Sequence, residues 1–234
     1  MGIDCCLWTM PYRLACLFCC VSFDFIGILV FLHQEGYIQF ETYAINTNTM
    51  EVEDNMNIVL VNGTNKIPDD YIANLVEYNG KLVDSSIIND LDNMFKDAKK
   101  DGVNLKINTA YRDKEEQQDI YDRRIKAYKN EGMTDKAAIE KTNSEVQKPG
   151  YSEHETGLAI DFSNPSNPED NEPMWEWLNA NSYKYGFILR YPKDKIDITK
   201  VSNEEWHYRY VGKDIAKEMK NTGECLEEYI NRVL

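Results

Sequence analysis

Both histidines in the body of this chain keep unusual company. His154 lies in Ser152-Glu153-His154-Glu155-Thr156-Gly157-Leu158-Ala159-Ile160-Asp161, and His207 closes Glu204-Glu205-Trp206-His207. A catalytic zinc site takes three nitrogen or oxygen ligands from the protein and leaves one position open for water, whose pKa falls to about 7. His154, Asp161 and His207 supply such a set. Glu204 precedes His207 by three residues, close enough for one element to present both to the same cavity. A carboxylate there can take a proton from an attacking water and return it to a leaving amine, as peptide hydrolysis requires. Arg112, between a strand pattern and a helix start, can place a guanidinium against a substrate carbonyl or carboxylate.

Each of these residues has a plainer reading when taken singly. Asp161 falls in the apolar pattern LAIDF, where it could cap a turn or pair with an arginine, since a lone buried carboxylate is costly. His154 could be an ordinary hydrogen-bonded histidine, Glu204 one more solvated acid, and Arg112 half of a surface ion pair. Spacing alone does not decide among these.

The elements that must carry these residues follow from periodicity. Val83, Ile87, Ile88, Leu91, Met94, Phe95 and Ala98 recur at helical spacing, so a helix is expected over 83–98, ended by Asp101-Gly102. Val103, Leu105 and Ile107 alternate, so a strand carries the chain towards Arg112. Asp113 with Glu116 has the form of a capping box, and the helix it starts places Gln117 on the face of Tyr121, Arg124 and Tyr128, turned inward. Another helix is expected from Thr134 to Val146, before Pro149-Gly150. Then come strand LAIDF, helix PMWEWLNAN, strands GFILRY and WHYRYV, and two short terminal helices. Helices and strands mixed in this order indicate an α+β domain.

The 234 residues suffice for one domain with a real core plus an appendage. A net charge of -14, from 26 Lys plus Arg against 40 Asp plus Glu, argues against nucleic acid as a partner. Five of the six cysteines fall in the first twenty residues, leaving Cys225 alone in the body and no disulfide framework there. The stretch from Leu14 to Leu32 is apolar or small except at Ser22, Asp24 and Gly27, long enough to span a bilayer as a helix, although Asp24 would cost about 2.5 to 3.5 kcal/mol. Residues 1–33 are therefore expected to anchor the chain in a membrane, with a cleaved signal segment as the alternative, and residues 34–57 to form a polar linker. The folded domain is expected over 58–234, outside the cell, and as a monomer.

The motifs together are familiar. S-x-H-x(6)-D followed by E-x-x-H resembles the zinc D-alanyl-D-alanine carboxypeptidase family, and VanY-like enzymes in particular. The blocks TAYRDKEEQQ, PGYSEHETGLAIDF, NANSYKYGFILRYP and EEWHYRYVG follow one another as that family's do. The resemblance implies a small single domain with a central antiparallel sheet flanked by helices. It further implies Zn2+ on His154, Asp161 and His207, Glu204 as catalytic base, Arg112 polarising the scissile carbonyl, and Gln117 and Ser152 seating the substrate. The implied substrate is a peptidoglycan stem peptide, or its precursor, ending in D-Ala-D-Ala. Two departures stand out: the Gly and Pro common before the family's W-H are absent from Thr199–His207, and Ala110 and Asp113 replace a frequent glycine and serine. An endopeptidase cutting another stem or cross-bridge bond is the nearest alternative, and a zinc-containing wall-binding module without activity is a remoter one.

Overall fold

The computed structural model describes residues 19–22, 25–34, 37–44 and 58–233, and the chain divides into two compact units, Met1–Met56 and Asn57–Leu234. In the first unit β1 (Cys19–Ser22), β2 (Phe25–Gln34) and β3 (Tyr37–Ala44) form an antiparallel sheet in that order, with Gln34 paired to Tyr37. The helix expected over 14–32 is therefore not found where the chain is described; residues 1–18, 23 and 24 lie outside the described set. A short apolar run does not by itself separate helix from strand, and a stretch rich in Phe, Ile and Val suits a pleated surface. Part of the expected linker is strand β3, while residues 35, 36 and 45–57 lie outside the described set. No described helix is long and apolar enough to cross a membrane.

The second unit opens with a hairpin, β4 (Leu75–Tyr78) and β5 (Lys81–Asp84). Asn79 and Gly80 both have positive φ, 51° and 75°, the mirror-image turn that matches strand twist. The helix expected from Val83 starts later, as α1 (Ile88–Lys100), because Val83 pairs with Val76 in the hairpin and the Asp84 side chain accepts from the Ser86 amide to cap a single 3-10 turn. The apolar positions read from the sequence hold: Ile87, Leu91, Met94 and Ala98 are fully buried.

Strand β6 (Ile107–Thr109) leads to α2 (Lys114–Asn130), whose cap is Asp113, accepting from the Glu116 amide at 2.8 Å. Next come α3 (Asp135–Asn143), capped by Thr134, then β7 (Ala159–Phe162), α4 (Asn171–Asn181) and β8 (Phe187–Tyr191). The one-turn α5 (Ile196–Thr199), β9 (Glu204–Tyr210), α6 (Lys213–Thr222) and α7 (Leu226–Val233) complete the unit. The antiparallel sheet has the order β6-β7-β9-β8, and the expected α+β domain of a sheet flanked by helices is what forms.

Strand alternation assigns the two faces of this sheet different tasks. Ile160, Phe162, Phe187, Tyr208 and Tyr210 join the helical residues Leu91, Met94, Met174 and Leu178 in the main core. Each such large apolar side chain contributes about 1.5 to 3 kcal/mol by leaving water. The intervening residues Asp161, His207, Arg209 and Arg190 belong to the other face and are buried as well. Near β8 that face is closed by α6 and α7 through Ile188, Ile215, Met219, Leu226 and Ile230. Where those helices stop covering it, polar side chains take over.

Candidate metal centre and active site

Asp161 and His207 are direct cross-strand neighbours in β7 and β9. His154 reaches them from a 3-10 turn, Glu153–Thr156, immediately before β7. Gly157 ends that turn with φ 73°, and a Cβ there would stand 2.9 Å from the Asp84 amide nitrogen, so the turn docks closely on the end of the hairpin. The Asp84 amide donates to the Gly157 carbonyl at 2.9 Å and the Tyr71 hydroxyl to the Thr156 carbonyl at 3.0 Å. The docking fixes where the His154 ring can go.

The three side chains converge. His154 Nε2 lies 3.4 Å from Asp161 Oδ2, His207 Nδ1 lies 3.1 Å from Asp161 Oδ1, and one ligand atom from each residue falls within 4.8 Å of the others. Both rings are oriented from behind: His154 Nδ1 is 2.7 Å from the Ala110 carbonyl, and His207 Nε2 is 3.3 Å from Glu153 Oε2. A ring that donates through its rear nitrogen turns a lone pair forward. The forward atoms are then acceptors facing one another, and with His207 neutral at that nitrogen the buried Asp161 Oδ1 receives no hydrogen bond. Acceptors crowded together without a donor are what a cation satisfies. With one ligand atom from each residue inside 4.8 Å, the three side chains lie within reach of a single divalent ion.

Charge shifts follow from this crowding. Burial opposes ionisation of Asp161, yet His154 and His207 hold its carboxyl far below the usual range. Burial would lower His207, but its bonds to Asp161 and Glu153 outweigh this and raise it to about 9, so a proton takes the place of a cation when none is bound. His154 is pushed down, chiefly by burial.

Glu204 Oε2 stands 3.7 Å from His207 Nδ1, at the edge of the cage. A spacing of three would put Glu204 and His207 on opposite faces of a regular strand. The pairing shifts between Leu189 and Tyr191, so that Arg190 alone on β8 stands opposite Glu205, Trp206 and His207 on β9, and this bulge swings Glu204 back to the cage. Burial, with the charges of Asp161 and Glu153, raises the Glu204 carboxyl to about 7 against the opposing pull of His207 and Arg112.

Arg112 and Gln117 line the same cleft, with Ser152, Tyr191 and half-exposed Trp206. Arg112 Nη1 donates to Gln117 Oε1 at 2.7 Å, while its buried Nε has no partner. Gln117 is buried as the helical pattern requires, and its amide donates to the Gln147 carbonyl. Ser152 is buried beside the cage and its hydroxyl does not cap the following turn. All seven residues singled out in the sequence thus line one cleft. The sequence reading passed over Glu153, Arg190, Arg209 and Glu227, four buried charges behind His207, and the Ala110 carbonyl.

Comparison with known proteins decides the family. The profile of the VanY family, D-alanyl-D-alanine carboxypeptidase, matches residues 80–213. The chain belongs to the VanY family of D-alanyl-D-alanine carboxypeptidases. A D-alanyl-D-alanine carboxypeptidase of Enterococcus faecalis is 42% identical over 180 residues, 76% of this chain and 67% of the relative. Among solved structures, VanYB in complex with D-alanine-D-alanine is 42% identical, with TM-score 0.72, covering 75% of this chain and 98% of that one. A vancomycin-resistance D,D-pentapeptidase VanY variant in complex with Zn(II) is 42% identical with TM-score 0.70, covering 74% and 98%. The departures from the family pattern noted before His207 fall on the segment that includes the β9 bulge.

Proposed function

We propose that the chain is a zinc D,D-carboxypeptidase that releases D-alanine from peptidoglycan stem peptides ending in D-Ala-D-Ala. The observation that carries this is the convergence of three buried acceptor atoms, from His154, Asp161 and His207, beside a carboxylate and a guanidinium in one cleft. These three side chains would hold the metal, with neutral imidazoles fixed from behind by Ala110 and Glu153. When bound, zinc supplies Lewis acidity to a water and to a carbonyl oxygen. Glu204, in contact with His207 and close to neutral in its titration, accepts the proton of the attacking water and passes it to the nitrogen of the leaving D-alanine. Arg112, braced by Gln117, donates from the cleft wall to the oxygen on which charge develops. Ser152 and Gln117 complete the wall against which the terminal residue is seated.

The test is release of D-alanine from a synthetic pentapeptide ending in D-Ala-D-Ala, by the zinc-loaded chain and its Glu204→Ala variant. The parent releases it; the variant keeps zinc and loses about 10²- to 10⁴-fold in kcat. No release by a zinc-loaded parent overturns the reading.

We further infer that the catalytic unit works outside the cytoplasm, anchored through residues 1–33. The apolar run from Leu14 to Leu32 supports this, as does a substrate class that matures at the outer membrane surface. Protease treatment of intact cells is expected to remove the catalytic unit; full protection sinks this placement.

A further inference from the structure

Four charged side chains are buried directly behind His207: Glu153, Arg190, Arg209 and Glu227. Arg190 spans the group. Its Nε donates to Glu153 Oε1 at 2.8 Å, and its two terminal nitrogens grip Glu227 at 2.8 and 2.6 Å. Arg209 Nη1 is 3.1 Å from Glu153 Oε1, and Asn62 donates to Glu227 Oε1 at 3.0 Å. The other oxygen of Glu153 faces His207 Nε2. Two guanidiniums thus balance two carboxylates in a buried site that only Glu227 opens slightly to solvent.

Stability does not account for such a group, because well-packed apolar residues often serve a fold as well as a buried ion pair does. Geometry does. Glu153 occupies the rear nitrogen of His207, and a partner at that position sets the ring's angle and its strength as a ligand. Glu153 is in turn held by the arginine whose fork closes on α7. Among the described residues α7 contributes no side chain to the cleft, yet it ends the chain of contacts that starts at the cage.

We propose that Glu153, Arg190 and Glu227 form a positioning relay for the His207 ring, through which α7 sets the affinity of the cage for its divalent cation. The relay rests on the reading of His154, Asp161 and His207 as a zinc cage. Glu153 acts on the ring directly, and Glu227 acts only through Arg190.

The experiment measures zinc dissociation constants of the full chain by competition with a chromophoric chelator. Circular dichroism and melting in excess chelator verify that each variant is folded. Glu153→Gln is expected to weaken zinc binding by about 10- to 100-fold, and Glu227→Gln by about 10-fold. Because both act along one line, the double variant should match Glu153→Gln within about twofold rather than show the product of the two losses. Arg190→Lys keeps the charge but loses the fork, and it weakens zinc in the same direction, an independent reading should Glu227→Gln fold poorly. Glu218→Gln, which alters contacts with Arg232 and Tyr229 but touches none of the three relay residues, leaves the constant unchanged. If Glu227→Gln melts earlier but binds zinc as the parent does, or the two losses multiply, the relay is overturned while the cage stands. A folded parent that binds no zinc overturns the cage and the relay together.

Discussion

The surroundings of His154 and His207 solve the same problem with different materials. His154 is fixed by backbone: a 3-10 turn, a left-handed glycine, and a neutral carbonyl behind the ring. His207 is fixed by charge: a carboxylate behind the ring, and guanidiniums behind the carboxylate. Burial prevails at the first ring and pushes it down, whereas bonds to two carboxylates prevail at the second and push it up to about 9. A backbone anchor is indifferent to pH and intolerant of added atoms; a charged anchor tolerates shape and depends on ionisation.

The largest effect that could break this contrast is Arg190→Ala, which leaves Glu153 and Glu227 buried without their shared cation. A loss of about 3 to 5 kcal/mol is expected in urea unfolding; a loss near that of a surface substitution would mean the charge cluster anchors nothing.

Next is the pH response of the metal-free chain. The folded value of about 9 for His207 exceeds the unfolded value of about 6.5, so the stability it contributes is fully present below pH ~6.5 and lost as pH rises through 9. The total is on the order of 3 kcal/mol. Glu204, raised to about 7, titrates mostly below this window, so melting in chelator between pH 7.5 and 10 isolates the ring. Zinc requires the neutral ring, so the stabilisation it adds should grow over the same range. A flat chelator profile would remove the charged half of the comparison.

Gly157→Ala attacks the other half. A left-handed backbone and a Cβ 2.9 Å from the Asp84 amide should cost about 1 to 3 kcal/mol. The cost should be equal at pH 7.5 and 9.5; a pH-dependent loss would blur the two anchors. The smallest effect is Asp113→Ala, which removes the cap after Arg112 and should cost about 1 kcal/mol in denaturant, with zinc affinity unchanged.

What the sequence revealed divides along related lines. Asp113, Thr134 and the inward turn of Gln117 were legible because caps and helical faces are local. The cage residues were legible because their two motifs stand in the order that the resembled family shows, not because any one of them had a single reading. The charges behind His207 were not, since in a chain with 40 Asp and Glu an interior Glu looks like a solvated one until the fold encloses it. Arg190 could have been suspected, as it interrupts a strand whose other residues are apolar or aromatic, and Arg209 because it stands between two tyrosines in β9. The hairpin had a clear local signal in Asn79-Gly80, and missing it moved the start of α1 five residues too early, from Ile88 to Val83 with Val83 itself in the strand. Likewise the bulge in β9 depends on pairing with β8, so Glu204 could be nominated from its spacing but not aimed.

One aromatic at the cleft also has an optical consequence. Trp177 is tied to Asp101 and Trp175 to the Phe162 carbonyl, but Trp206, adjacent to His207 and 6.1 Å from the ring of Trp175, is 37% exposed at the cleft. Its indole borders the space that metal and peptide would enter. Emission from that indole, quenched or shifted as the space fills, gives the molecule an intrinsic fluorescent gauge of occupancy that needs no dye.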